Sequence, residues 1–243
     1  MANTQEVRFS QGKKNIGEAA EFPWEYPVPV NPFWDDIRHP TARSVLQAFA
    51  PDDDVEKPPI DPEGKLSSRE KLELLHTPLR NRLSQAEAGC APDTLLSADY
   101  ETWYKIHTAI FSAQKDLGAT DAAETTVRAL FENRRDKENI SLLQSLHWML
   151  LERGSYEEVV EQEPKVAEWL DGRLGKNSPQ ALGSRRMMAE ALWWLGRTAE
   201  AEARFGEIRE LAESMHGGPY AVYRNDEVDA VESLKQRLVE LKA

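Results

Sequence analysis

With one cysteine in the whole chain, Cys90, there is no second thiol to pair with, so no intrachain disulfide braces the fold. Cys90 sits among Ala88, Gly89, Ala91 and Pro92 with no histidine nearby, the setting of an inert thiol rather than a nucleophile. The five histidines are scattered, and none lies three or four residues from another as a helical metal site requires. No metal and no cofactor are therefore expected. Positive charge is also scarce: 30 basic against 42 acidic side chains give a net charge of −12, with no basic stripe, which excludes nucleic acid as the expected partner. No apolar run approaches the roughly eighteen residues of a spanning helix, and residues 1–30 lack the apolar block of a secretory signal. The expectation is a chain without a membrane partner, at a cytoplasmic address. Nucleotide-binding loops, zinc motifs and nucleophile elbows are missing as well. So are sustained alternation and hairpin turns of the Asn-Gly or Asp-Gly kind, which leaves an all-α fold.

What is present is a globular composition, 40% hydrophobic and 30% charged, on 243 residues, enough for one folded body with an N-terminal attachment. Nine of the 14 prolines fall between Pro23 and Pro62, and the chain changes character there. Residues 22–34 set Phe22, Trp24, Tyr26, Phe33 and Trp34 among Pro23, Pro27, Pro29 and Pro32, a pattern that predicts extended backbone carrying large apolar side chains. So many aromatics in so short a stretch predict packing on the helical body; whether the segment lies in a groove as an intramolecular ligand or outside it as a strap is left open. A short helix is predicted from Pro40 to Phe49, and residues 51–65 read as a linker. The domain reading is 1–65 as a Pro/aromatic-rich extension and linker, and 66–243 as a helical domain. Within the latter, Ser67 and Glu70 form a capping box, Pro78 is expected to kink or divide its helix, and further starts are read at Ser97, Thr120 and Ser178. Helices are expected at about 68–88, 98–117, 120–134, 138–153, 156–172, 179–195, 198–215 and 220–242.

Three glycines stand at one place in a helix–turn–helix pattern: Gly118 in LGATDAAE, Gly154 in RGSYEEVV and Gly196 in LGRTAEAE. Five residues after each comes Ala123, Val159 or Ala201, and eight before each comes Ile110, Leu146 or Met188. The intervals, 36 (154 − 118) and 42 (196 − 154) residues, suit helical hairpins that hide their apolar faces by stacking. This pattern resembles the tetratricopeptide repeat. With Leu174, Gly175 and Pro179 ahead of the next first helix, it resembles the kinesin-light-chain type in particular. The resemblance covers residues 140–215 best and 98–139 less well. It departs from the family at Arg185 and Glu163, where aromatics are usual; Phe205 matches in the next hairpin.

The resemblance implies an all-α solenoid of stacked hairpins whose first helices line a concave groove. Counting back ten, six and three residues from each glycine gives the groove positions: Thr108, Ser112 and Lys115; Gln144, Trp148 and Leu151; Arg186, Glu190 and Trp193. Indoles, an amide and paired charges are the chemistry of a peptide site. Trp194, about 100° away from Trp193, is expected to take the core role if Trp193 faces the groove. The functional reading is a non-enzymatic interaction or scaffolding module for a peptide or partner helix. The alternative is an enzyme or small-molecule-binding protein whose pocket gathers His107, His147, Arg186 and Glu190. The acidic clusters Glu157, Glu158, Glu161 and Glu163, and Glu200, Glu202, Glu207 and Glu210, are expected to be solvated outer faces. The apolar face of the last helix (Val228, Val231, Leu234, Leu238 and Leu241) reads as a cap sealing the array, with a contact that builds a structural oligomer as the other reading.

Overall fold

The structure, a computed structural model, describes residues 6–9, 14–15, 26–49, 65–136 and 140–242. Of these, 77% are helical, in eleven α-helices packed against one another, so the fold is all-α. Among the described residues no helix is long and apolar enough to cross a membrane. The chain divides into two compact units, Met1–Leu130 and Phe131–Ala243.

In the first unit, β1 (Val7–Arg8) lies between β2 (Lys14–Asn15) and β3 (Val28–Pro29), antiparallel to both, with Val7 opposite Asn15 and Pro29. The run of prolines then turns helical instead of staying extended. Asn31 accepts hydrogen bonds from the Phe33 and Trp34 amides, both at 3.0 Å, and starts α1 (Pro32–Asp35). This cap swings both aromatics inward. Phe33 and Trp34 meet edge to face at 5.0 Å and are buried in one cluster with Val28, Ile37, Val45, Leu72, Leu75, Leu79, Ile106 and Ile110. Residues 22–25 of the aromatic run, Trp24 among them, lie outside the described residues, as does the linker up to residue 64.

The cluster is walled by α2 (His39–Phe49), α3 (Ser68–Gly89) and α5 (Tyr100–Asp116). Polar ties fix the non-helical backbone to this wall. Arg8 donates through Nη2 to the Trp34 and Ile37 carbonyls at 2.6 and 2.7 Å. The fully buried Lys71 donates to the Pro32 carbonyl and to Asp36 Oδ2, at 2.5 and 2.7 Å. Ser67 and Glu70 form the capping box of α3, which runs through Pro78 without division. The expected start at Ser97 is displaced: Thr94 caps α4 (Leu95–Ala98), and Asp99 caps α5 by accepting the Thr102 amide at 3.1 Å. A second turn then leads into α6 (Thr120–Glu132), whose Thr126 hydroxyl donates to Gln114 of α5 at 2.8 Å.

In the second unit, α7 (Ser141–Arg153), α8 (Tyr156–Leu174), α9 (Pro179–Trp194), α10 (Thr198–Glu213) and α11 (Arg224–Lys242) follow in sequence. The central α9 packs on all four others. Ser178 accepts the Ala181 amide at 3.2 Å, and Pro179 fills the first turn, where its missing N–H costs nothing. Small residues on α9, Ala181, Ala189 and Ala191, are fully buried and let neighbouring helices approach closely.

The glycine turns are alike in backbone detail. Gly118, Gly154 and Gly196 all adopt the left-handed conformation, with φ of 73°, 79° and 76°. The amide after each donates to a carbonyl five residues back: Ala119 to Gln114, Ser155 to Leu150 and Arg197 to Leu192, all at 2.9 Å. These bonds satisfy carbonyls that would otherwise be orphaned at the helix end, and only glycine reaches the required φ without steric cost. In each case the next helix opens two residues after the glycine, at Thr120, Tyr156 and Thr198.

Candidate functional site

The second unit holds a recess of about 340 Å³ lined by Trp148 of α7, by Gly183, Arg186, Met187 and Glu190 of α9, and by Ala230, Ser233, Leu234 and Arg237 of α11. Helical spacing explains its walls. Gly183, Met187 and Glu190 fall at steps of four and three along α9, and Ala230, Ser233 (or Leu234) and Arg237 repeat the pattern along α11. Gly183 keeps the floor low: a Cβ there would stand 3.4 Å from Gln144 Nε2 and 3.6 Å from an Arg186 guanidinium nitrogen. Trp148, 43% exposed, stands at the mouth.

The charges in the recess are paired across helices. Arg186 binds Glu227 of α11, and Arg237 Nη2 reaches Glu190 Oε1 at 3.0 Å. Burial pushes the Glu227 carboxyl above the usual carboxylate range, against the opposing pull of Arg186. Burial raises Glu190 likewise, against the pull of Arg237 and of Trp194 beside it. In both pairs, then, taking the carboxylate out of water outweighs the partner's attraction.

The nine expected groove residues have different fates. Trp148, Arg186 and Glu190 meet in the recess. Gln144 lies alongside, donating Nε2 to the Gln180 carbonyl at 2.7 Å, so its amide is spent on α9. Leu151 is buried. Trp193 is 6% exposed, whereas Trp194 is 36% exposed and stacks on Tyr156 at 6.1 Å. The core role therefore goes to Trp193, the reverse of the groove assignment. Thr108, Ser112 and Lys115 belong to the first unit, where Ser112 points at α2: its hydroxyl lies 3.4 Å from Ser44 Oγ. Helix α2 thus packs on the face of α5 that the groove count leaves open.

Of the residues in the enzyme alternative, only Arg186 and Glu190 line the recess. His147 is fully buried, with neither ring nitrogen hydrogen-bonded; burial lowers its pKa, against Gln162 and Glu158 of α8. His107 lies in the first unit, donating Nδ1–H to the Trp103 carbonyl at 2.8 Å with its ring 4.4 Å from that indole. Among the described residues no group of three or more His, Cys, Asp or Glu side chains is placed to hold a metal ion.

Two positions where the sequence departs from the repeat pattern are buried charges. Arg185 bonds Asp171 Oδ2 at 2.7 Å and the Ala181 carbonyl at 3.2 Å, and lies 3.5 Å from Glu207 Oε1. Glu163, expected on a solvated face, is 4% exposed. Burial raises its carboxyl pKa, against Ser184, Arg185 and Arg204.

Sequence reasoning missed the contribution of α11 to the recess. The signal was there: Glu227 falls on the same stripe as Val231, Leu234 and Leu238, at steps of four, three and four, and a charge on an apolar stripe calls for a buried partner. Comparison with protein-family models, curated proteins and solved structures finds no match for this chain.

Proposed function

We propose that this chain is a non-enzymatic interaction module of the cytosol, with α7 to α11 stacked as tetratricopeptide-like hairpins, and that it takes a peptide or one face of a partner helix in the recess between α7, α9 and α11. The observation that carries this reading is Trp148, an exposed indole at the mouth of a recess with an apolar floor and paired charges. Exposed tryptophans beside a desolvated pocket are the usual anchors of protein recognition. A volume of about 340 Å³ lies at the lower end of the roughly 300–1,000 Å³ of ligand pockets, room for one or two anchoring side chains rather than a large cofactor. The hairpin reading draws support from the three matching glycine turns and from first helices α7, α9 and α11 meeting around one recess.

Selection from a random-peptide library against the full chain tests the function. Enriched peptides should bind Trp148→Ala about tenfold or more weakly, a hot-spot loss, while the variant melts as the unaltered chain does. Equal binding by Trp148→Ala, or a library from which nothing is enriched, would overturn the reading.

A further inference from the structure

The last helix buries few side chains and carries several ion pairs. On α9, ten of sixteen residues are buried. On α11 the buried side chains are Glu227, Val231 and Leu238, while Val239 and Leu241 are exposed. What α11 adds to the apolar contact of Val231 and Leu238 is charge. Four ion pairs join it to its neighbours: Arg186 with Glu227 and Glu190 with Arg237 on α9, Glu202 with Lys235 at 2.6 Å and Arg209 with Glu232 at 3.1 Å on α10. Arg224 adds a bond from Nε to the Glu213 carbonyl at 3.3 Å. Three of the four pairs involve at least one side chain that is more than 40% exposed, the kind that salt screens. The fourth carries the desolvation cost described above. Two of them occupy Arg186 and Glu190, the very charges that the recess would offer a partner.

We propose that α11 is a loosely latched wall of the recess, held on α9 and α10 by ion pairs beside Val231 and Leu238, which keeps Arg186 and Glu190 occupied until it swings open and frees them for a partner segment entering the recess. The part that concerns the partner rests on the reading of the recess as a binding site. The latch itself does not. A helix so held opens at a lower free energy than the body it covers, as a local unit rather than with the whole. Its length and its charge pattern suit an intramolecular competitor: a partner that neutralises Arg186 and Glu190 better than Glu227 and Arg237 do shifts the equilibrium toward the open state.

The test is amide hydrogen exchange on the full chain, resolved by segment, at low salt and at about 1 M NaCl, where the screening length falls to about 3 Å. Residues 224–242 should exchange about tenfold faster in high salt, with α8, α9 and α10 unchanged. Glu227→Gln should do the same at low salt, and the exchanged pair, Arg186→Glu with Glu227→Arg, should recover protection that either charge reversal alone loses. Exchange of α11 in step with α9 under all conditions would overturn the latch, and the salt series on the unaltered chain decides this even where a variant fails to fold. Peptides from the library selection separate the two claims. Tighter binding to Glu227→Gln supports both. Faster exchange without tighter binding sustains the latch and overturns α11 as the partner's competitor.

Discussion

The two units close their cores by different means. In the first, a segment outside any helical hairpin supplies Val28, Phe33 and Trp34, and a buried cation, Lys71, is satisfied by a carbonyl and a carboxylate. In the second, α7 to α11 pack on one another, and ionisable groups sit inside with atoms left over: both nitrogens of His147 and Oε1 of Glu163 have no hydrogen bond. The contrast shows two uses of buried polarity. Lys71, whose charge is met, pins a strap in one place; His147 and Glu163, which burial shifts in opposite directions, make stability depend on pH.

The largest effects should come from the aromatic anchors. Phe33→Ala removes a fully buried ring from the first unit and should cost about 3–5 kcal/mol in denaturant unfolding. Trp193→Ala should cost a similar amount in the second unit, whereas Trp148→Ala should change stability by no more than about 0.5 kcal/mol. Equal losses for Trp148 and Trp193 would mean that the indole at the recess is core rather than anchor. A Phe33→Ala chain as stable as the unaltered one would show the strap to be decoration.

Next come the buried titrating groups, whose signs are opposite. Glu163 is raised in the folded chain, so its contribution is fully present below the unfolded carboxyl value of about 4.3 and is lost as pH rises through the folded value. Glu163→Gln should therefore gain on the order of 1 kcal/mol at neutral pH and nothing at acid pH. His147 is lowered, so its contribution is intact above the unfolded value of about 6.5 and is lost as pH falls toward the folded value. His147→Leu should flatten the acid limb of stability against pH. His107 is also lowered by burial, but its Nδ1–H is bonded to Trp103, so His107→Leu should lose that bond and the contact with the indole and cost stability at every pH. Parallel pH curves for the two histidine variants would remove the distinction between satisfied and orphaned groups.

Helix positions in this chain were legible because caps and glycines are local. The ends of α9 and α10 fall within two residues of the sequence reading, since Ser178, Pro179 and Gly196 act on their own backbone. The candidate site was legible only in part, because periodicity says which residues share a face but not what covers that face. Arg186 and Glu190 keep the expected helix face, yet α11 has paired both. Trp193 and Trp194 differ by a single step of about 100°, and which one turns inward depends on where neighbouring helices lie. The repeat pattern assigns Ser112 to a groove because nothing in that pattern places α2 beside α5. Glu163 reads as a surface acid because its neighbours Glu157 and Glu161 are exposed ones.

Effects of similar size test whether the turns of the two units are the same device. Gly118, Gly154 and Gly196 sit at φ between 73° and 79°, where an alanine Cβ crowds its own backbone whatever space surrounds it. Gly118→Ala in the first unit and Gly154→Ala or Gly196→Ala in the second should each cost about 1–2 kcal/mol. A marked difference among them would show that the turns are supported unequally by their surroundings. Gly206 supplies the control on the other side of zero. It lies within α10 in helical backbone, and a Cβ added there would meet nothing within 4 Å. Gly206→Ala should therefore stabilise the chain by about 0.5–1 kcal/mol, by narrowing the unfolded ensemble and adding helix propensity without a new contact. Glycine content is the same in both experiments; backbone conformation alone decides the sign. If Gly196→Ala and Gly206→Ala shifted the unfolding midpoint in the same direction, the left-handed turn would not be what sets the hairpin, and the match among the three turns would lose its physical basis.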